Sequence, residues 1–514
     1  MKRQRQPLNT RVVISAAVLL ILAVLAVWKT GVLLRAGQGQ DAPAQETAAV
    51  PQETEEQQET PDSSKASASA GTVGGGITAS PGSGSDASGA GTETADSGEA
   101  QKASFLPDYT SAPLLNTTSI RDLSMEVGAS ETELRFNWLS PSARKGQVRM
   151  TDTASGETLS FDAECSASAT VPGFYVNKAS ASGLTPGASY TYQVGNDDGW
   201  SPEYSYQCPA AGQDSLTFLV TADAQIGQIG TEEASVTADR WDSVLTRLTS
   251  YVPEASFLFH LGDQVAEFGN EEQYGLFLDH LALYRIPLAP AVGNHDVPND
   301  VSLKDTGRPA GPYFYEHFNV PNRSATGQSS SDQDGNYYFI RGNVLFIVLN
   351  SSTTQGSDVQ EQYVAQVVAE HPDTRWRILA QHFPAYPGAK GSHTNCKEYL
   401  ARIAYNNDID LILGAHDHVY SRTAFVNGLC ETLSGYPYAT GETAVNPEGT
   451  LYITCSTSSG CMYHEPEEEM RIAKLGQPYT PMALRFDVTD TELHMRAYLM
   501  DTWTVYDEYT IQKD

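Results

Sequence analysis

The chain predicts a layered α/β fold with mixed sheets, preceded by an all-β sandwich. In front of these stand an N-terminal transmembrane helix and a disordered stalk. Three observations carry this prediction. From about residue 214, apolar strands alternate with helical stretches, the grammar of an α/β domain with much parallel sheet. From about 104 to 210, short alternating runs are separated by turn residues, which is sandwich patterning. Ahead of both, a low-aromatic segment follows one apolar run. The expected division is 1–35 tip and membrane helix, 36–103 stalk, 104–211 sandwich and 214–514 α/β domain.

The apolar run extends from Val12 to Trp28, with Lys2, Arg3, Arg5 and Arg11 before it and Lys29 and Arg35 after it. About 17 to 25 apolar residues span a bilayer, and the basic flank places the N-terminus in the cytoplasm and the remainder outside. The rival is a cleaved signal peptide, which would leave the protein secreted. The only Ala-x-Ala nearby, Ala42-Pro43-Ala44, is distant and contains Pro, so an uncleaved anchor is favoured. No Cys follows the run until Cys165, which excludes a lipid-modified Cys at its end. Residues 36–103 are Gly, Ser, Ala, Thr and acid, a composition that cannot offset ordering entropy and reads as a spacer.

The formal net charge of -31 argues against stable nucleic-acid binding, because phosphate contacts need Lys and Arg clusters. Outside the cell, Cys165 with Cys208 allows one disulfide, and Cys396, Cys430, Cys455 and Cys461 allow up to two. None has zinc-finger spacing.

In the sandwich segment the strands are LRFNWLS, GQVRMTD, ETLSFDA and SYTYQVG, parted by TASGE, LTPGAS and GNDDGW. It contains no His and reads as a packing module or spacer, with a binding role left open. The α/β domain then runs through LTFLVTAD, a helix from about Glu233 to Tyr251, FLFHLGD, the helical EEQYGLFLDHLALY, IPLAPAVGNHD, YYFIRGNVLFIVLNS, helix DVQEQYVAQVVAEH, WRILAQHFP and IDLILGAHDH. MALRFDV, LHMRAYLM and TVYDEYTI close it as an antiparallel group. All eleven His lie between His260 and His494, which places the titratable chemistry here.

Five of these strands end in metal-capable groups: Asp223, Asp263, Asn294 with His295, His382, and His416 with His418. Ligands of open α/β sheets bind at the carboxyl ends of strands. One such Asp is usually a helix cap; five like ends on one edge indicate a site. Carboxylate, amide oxygen and imidazole suit zinc, manganese or iron. Six or seven ligands exceed one tetrahedral ion and suit two ions sharing a carboxylate. Such a pair, about 3.5–4 Å apart, makes hydroxide available near neutral pH and stabilises the attacking and leaving oxygens of a phosphoester displacement.

The order D-A-Q, G-D, G-N-H-D, a later His and G-A-H-D-H resembles the calcineurin-like metallophosphoesterases, and within them the purple acid phosphatase branch. The resemblance covers about 214–514. It extends to the sandwich, because that branch carries a fibronectin-III-like domain there and LTPGASYTYQVG is similar to its closing strands. It implies that Asp223 and His418 hold one metal, that Asp263 bridges both, and that Asn294, His382 and His416 hold the second. It further implies that His295 faces the phosphate, with Asp296 fixing its tautomer.

Two departures stand out. Purple members have Tyr where GDQVA has Ala266, so no purple colour is expected. Many members have His where Gln225 stands; Gln225 could ligate through its amide oxygen or bond a metal-bound water. His393 resembles a loop His that protonates the leaving group, or is an exposed loop residue. Tyr420 and Arg422 are similar to a family Y-x-R, Arg422 being possible as a structural residue. His260 reads as a core residue or as one that supports the metal ligands from behind. His280, His317, His371, His464 and His494 read as structural or surface residues. The long connection from Val297 to Asn336 is expected to shape the pocket.

The implied function is a cell-surface dimetal phosphoesterase acting on phosphate monoesters, its partner a phosphorylated small molecule or nucleotide. A phosphodiesterase or nucleotidase of the same fold, and a surface binding module with a vestigial site, are the alternatives.

Overall fold

The structure is a computed structural model that describes residues 119–212, 215–228, 233–298, 311–323, 335–352 and 357–514. The expected membrane helix and stalk lie outside the described residues. Among the described residues no helix is long and apolar enough to cross a membrane.

Nine strands come first: β1 Arg121–Val127, β2 Glu133–Ser140, β3 Gln147–Asp152, β4 Thr158–Asp162, β5 Glu164–Ala167, β6 Tyr175–Ser182, β7 Ser189–Asn196, β8 Gly199–Trp200 and β9 Tyr204–Gln207. β1, β2, β6 and β5 pair on one side, and β4, β3, β7, β8 and β9 on the other. The alternation of LRFNWLS explains the packing. Leu134, Phe136 and Trp138 share one core with Val148 and Met150 of β3 and Tyr190, Tyr192 and Val194 of β7, as period-two side chains of two facing sheets must.

The α/β part continues with β10 Ser215–Thr221, α1 Ala234–Tyr251, β11 Leu258–His260, α2 Glu271–Leu278, β12 Leu288–Pro290 and α3 Gly311–His317. Then come β13 Tyr337–Arg341, β14 Val344–Val348, α4 Ser357–Glu370, β15 Trp376–Ala380, α5 Lys397–Asn406 and β16 Leu411–Gly414. β17 Tyr420–Thr423, β18 Thr443–Val445, β19 Leu451–Thr454, β20 Ile472–Gly476, β21 Met482–Thr489, β22 Glu492–Leu499 and β23 Thr504–Gln512 complete it.

The five strands that carry the candidate ligands do not share one sheet. β10, β11 and β12 lie in a sheet ordered β18-β23-β22-β21-β10-β11-β12-β1-β2-β6-β5, whereas β15 and β16 lie in a second, β13-β14-β15-β16-β19-β17-β20. The single converging edge expected from the sequence is therefore the common end of two stacked sheets. The run VLFIVL shows why. Val344, Phe346 and Val348 join the core between the sheets, while Leu345, Ile347 and Leu349 pack under α4 and α5. Phe218 of β10 meets Phe346 edge-on at 5.2 Å, which joins the two layers. α1 buries Trp241, Leu245 and Leu248, a stripe at helical spacing.

Two further differences appear. β1 pairs in parallel with β12 at Glu126 and Leu288, so the sandwich shares a continuous sheet with the α/β part. All six Cys are free thiols, against the disulfides expected. Cys165 lies on β5 in one sheet, its Sγ toward the Ala143 carbonyl. Cys208 follows β9 of the opposite sheet, its Sγ toward the Glu131 carbonyl.

Candidate metal centre

The strands place their polar ends by running parallel in the same direction. β10, β11 and β12 are parallel neighbours, and so are β15 and β16. The chain leaves each strand and turns at once. Asp223, Gln225, Asp263, His416 and His418 all have left-handed backbone, with φ between 35 and 72°. That conformation costs about 1–3 kcal/mol in a non-glycine residue and gathers at functional sites. Two glycines make the turns possible. A Cβ on Gly262 would stand 2.8 Å from His382 Nδ1, and one on Gly293 would stand 2.1 Å from Asp263 Oδ1. The Gly of GD and the Gly of GNHD are thus required by the close approach of these two loops.

Asp263 lies at the centre. Its Oδ2 is 3.2 Å from His382 Nε2 and accepts from Gln225 Nε2 at 3.0 Å. Its Oδ1 accepts the backbone N–H of His295 at 2.8 Å. His382 donates Nδ1–H to the Leu261 carbonyl at 2.9 Å, which turns Nε2 toward Asp263 and toward Asn294 Oδ1 at 3.1 Å. On the other side, Asp223 Oδ2 accepts the N–H of His416 at 3.1 Å, and Oδ1 lies 3.6 Å from His418 Nε2. His418 Nδ1 is fixed by the Met462 carbonyl at 2.9 Å.

Electrostatics describe a site built for cations. Burial and the neighbouring Asp263 charge raise the Asp223 carboxyl well above the usual range. Burial pushes Asp263 up as well, but the charges of His382 and His295 outweigh it and hold Asp263 below the usual range. Burial pushes His416 down to about 3 and His418 down to about 4, so both rings are neutral at pH 7. Burial disfavours the charged His382, but the Asp263 carboxylate carries it up to about 9. A bound cation would take the place of that proton.

The residues fit a metal. Donor atoms of Asp263, His382 and His416 lie within 4.8 Å of one another. Asp223 Oδ1 is buried without a hydrogen-bond partner, a cost that a ligated cation removes. His382 and His418 each have the other ring nitrogen on a backbone carbonyl, as metal-ligating imidazoles do.

One expectation needs correction, and several open ones are decided. Asp296 does not fix the His295 tautomer. Its buried carboxylate accepts the N–H groups of Gly293 at 2.8 Å, Asp263 at 2.8 Å and Gln264 at 2.9 Å, so it ties the GD and GNHD loops together. The tautomer is set by the Ala266 carbonyl, 2.7 Å from His295 Nδ1; a carbonyl only accepts, so Nδ1 carries the proton. Gln225 turns its Nε2 to Asp263, while its Oε1 faces Cys461 Sγ at 3.5 Å. His393 is exposed. Arg422 is structural: fully buried, it forms a two-pronged pair with Asp507 at 2.7 and 3.1 Å, joined by the Tyr420 hydroxyl at 2.7 Å. His260 is a core residue, edge-on to Trp241 and Phe277. Of the long connection, residues 299–310 and 324–334 lie outside the described residues.

Three contributions were not anticipated. Asp417, between the two His of GAHDH, accepts from Gly388 N at 2.6 Å and Ser392 Oγ at 2.7 Å, which anchors the loop leading to His393. Thr457, Ser458 and Ser459 donate their hydroxyls to the carbonyls of Asp223, Ala222 and Ala224 at 2.6–2.8 Å and brace the β10 turn. The run CSTSSG was the available signal. His464, read from the sequence as structural or surface, stacks on His418 with ring centres 5.1 Å apart.

Residues 216–420 match the family model of the calcineurin-like phosphoesterases, and residues 121–208 match that of the purple acid phosphatase N-terminal domain. No curated protein sequence gives a significant match. Among solved structures, a purple acid phosphatase from yellow lupin (Lupinus luteus) seeds matches with a TM-score of 0.61 at 17% identity, covering 77% of this chain and 75% of that one. At that identity the likeness speaks for the fold. A protein of Thermus thermophilus matches over 56% of this chain and 96% of its own, at 11% identity; its TM-score of 0.27 carries no argument.

Proposed function

We propose that this chain, which belongs to the calcineurin-like phosphoesterases and is a metal-dependent phosphoric ester hydrolase, hydrolyses phosphate monoesters at the cell surface. The observation that carries the reading is one continuous cluster of donors around two carboxylates. Donor atoms of Asp263, His382 and His416 lie within 4.8 Å of one another, Asn294 Oδ1 lies 3.1 Å from His382 Nε2, and Asp223 Oδ1 lies 3.6 Å from His418 Nε2 and 3.9 Å from His382 Nδ1. In this reading Asp223 and His418 would hold one ion, Asn294, His382 and His416 would hold a second, and Asp263 would be shared by both. Gln225 donates to Asp263 and keeps its carboxylate oriented. Two such ions supply Lewis-acid polarisation and activated water when bound.

The chain's own residues do the rest. His295 holds its Nδ1–H on the Ala266 carbonyl, so Nε2 donates to a phosphoryl oxygen when the ring is the doubly protonated imidazolium. His393, on the loop anchored by Asp417, protonates the leaving alkoxide. Asp296 keeps Asp263 and His295 in register. The division into membrane tether (1–35), stalk (36–103), fibronectin-III-like module (104–211) and catalytic domain (214–514) belongs to the same proposal. So does the extracellular location, which the apolar run from Val12 to Trp28 supports.

Metal content by elemental analysis, run beside hydrolysis of a chromogenic phosphate monoester and diester with and without chelator, tests it. About two metals per chain and a chelator-sensitive preference for the monoester are expected. A preference for the diester would transfer the assignment to a phosphodiesterase. No metal and no turnover after reconstitution with Mn, Zn and Fe would overturn it.

A further inference from the structure

A second cluster of ligand-type side chains lies outside the metal centre. Asp122, Glu271 and His317 bring donor atoms within 4.8 Å of one another. They come from three elements: Asp122 from β1, Glu271 from the start of α2 and His317 from the end of α3. α2 follows the loop that leaves Asp263, and α3 follows the GNHD stretch. The fully buried His317 ring places Nδ1 2.7 Å from the Tyr313 carbonyl, so Nδ1 carries a proton. Its Nε2 lies 3.0 Å from Glu271 Oε2 and 3.7 Å from Asp122 Oδ2. The ring stacks on Tyr274 at 4.0 Å and 11°.

A metal ion and an imidazolium compete to explain this cluster, and Arg121 decides between them. Its Nε lies 2.9 Å from Asp122 Oδ2, and its Nη2 donates to the Glu271 carbonyl at 2.9 Å. With that guanidinium in place, a charged His317 brings the two carboxylates to neutrality. A divalent ion beside a neutral imidazole would leave a net positive charge next to a buried ring, which is costly. Burial opposes the charged ring, but hydrogen bonds to Asp122 and Glu271 outweigh it and hold His317 up at about 9. The cluster is an ionic tie between β1, α2 and α3.

The tie reaches the metal centre through α2. Gln273, in the same turn as Glu271, accepts the N–H groups of Ala266 at 3.0 Å and Glu267 at 2.9 Å. The Ala266 carbonyl in turn accepts Nδ1–H of His295. α3 is pinned on its other side. Glu316 accepts from Ser168 Oγ at 2.6 Å, Ala169 N at 2.7 Å and Thr170 Oγ1 at 2.8 Å, and Ser124 Oγ donates to the His317 carbonyl at 2.6 Å. We propose that His317 is a positioning residue: through Glu271, Gln273 and Ala266 it sets the orientation of His295, and so gives the sandwich a part in the reaction. The inference rests on the reading of His295 as the residue that faces the phosphate.

The test uses the full chain and the variants H317F, H317Q and Q273A. H317F keeps a ring against Tyr274 and loses both nitrogens, H317Q keeps a donor near the place of Nε2, and Q273A removes the acceptor that holds Ala266. For H317F and Q273A, kcat toward a chromogenic phosphate monoester should fall on the order of tenfold, with KM within about twofold and metal content unchanged. H317Q should recover most of the loss. Independently of turnover, imidazole ¹⁵N NMR of metal-free, histidine-labelled protein should show the bonded Nδ1–H of His295, identified by its loss in H295N. That signal should shift in H317F and Q273A and return in H317Q. Should H317F not fold, Q273A carries the same comparison. An unshifted His295 signal with unchanged kcat would overturn the inference, and so would a third metal per chain lost in H317F. A wild-type chain without turnover would count against the proposed function, and the His295 signal would still decide the positioning.

Discussion

The backbone N–H of His295 donates to Oδ1 of Asp263 at 2.8 Å. The loop behind β12 is thereby fastened to the loop behind β11 through the carboxylate at the centre of the site. Asp296 fastens the same pair in the opposite sense, accepting the N–H groups of Asp263 and Gln264. Ligand position and loop register are therefore one property here.

Asp263→Asn separates the two roles of that carboxylate. The amide oxygen still accepts from His295, so the fold should hold, with Tm within about 3 °C of wild type. The lost charge should empty the centre and lower kcat at least about a thousandfold. Elemental analysis beside kinetics checks this; D263N with full metal content and near-wild-type kcat would refute the central role.

Asp296→Asn keeps one acceptor oxygen where two serve three buried N–H groups. Each donor left unsatisfied costs about 1–3 kcal/mol. Denaturant unfolding should show a loss in that range, and metal affinity should drop about 10–100-fold, as for other outer residues of metal sites. Wild-type stability with wild-type affinity would contradict the three hydrogen bonds.

Asp507→Ala strands the guanidinium of Arg422, which is 0% exposed and paired with Asp507 on both prongs. Breaking one partner of a buried pair costs about 3–5 kcal/mol. The variant should unfold earlier in urea yet keep wild-type kcat per folded molecule. A kcat that fell while stability held would give Arg422 a role in the reaction.

Glu126 supplies a pH dependence. Burial, only partly offset by the Ser124 hydroxyl, raises its carboxyl from 4.5 to about 8. The folded state therefore binds a proton more tightly than the unfolded chain. The associated stability is fully present below about pH 4.5 and is lost as pH rises through about 8. Glu126→Gln removes that loss. The Tm difference, E126Q minus wild type, should grow between pH 5 and pH 8, by about 2–4 °C for each kcal/mol. A difference independent of pH would mean that Glu126 is ionised in the fold.

Much of the site was legible because its chemistry is written at strand ends. Asp223, Asp263, Asn294, His382, His416 and His418 could each be found by looking at the residues that end an apolar run, and the structure brings all six together. The partner of a side chain was not legible. Asp296 stands next to His295 in sequence, yet it bonds the backbone of Gly293, Asp263 and Gln264, and a plain carbonyl at Ala266 fixes the imidazole. His317 was unreadable for a similar reason: Asp122 lies 195 residues away in sequence and Glu271 46 residues away.

Local pattern settles the order of the elements and the classes of chemistry at the strand ends. These come from local periodicity and from the few residue types able to ligate metal. Packing between distant segments settles that the ligands come from two stacked sheets, that β1 joins the sandwich to the α/β sheet, that GD and GNHD need glycine where their loops touch, and which donor meets which acceptor. A hydrogen bond is made over about 3 Å, and which groups come that close is settled by packing between segments far apart in the chain, where local pattern carries no information.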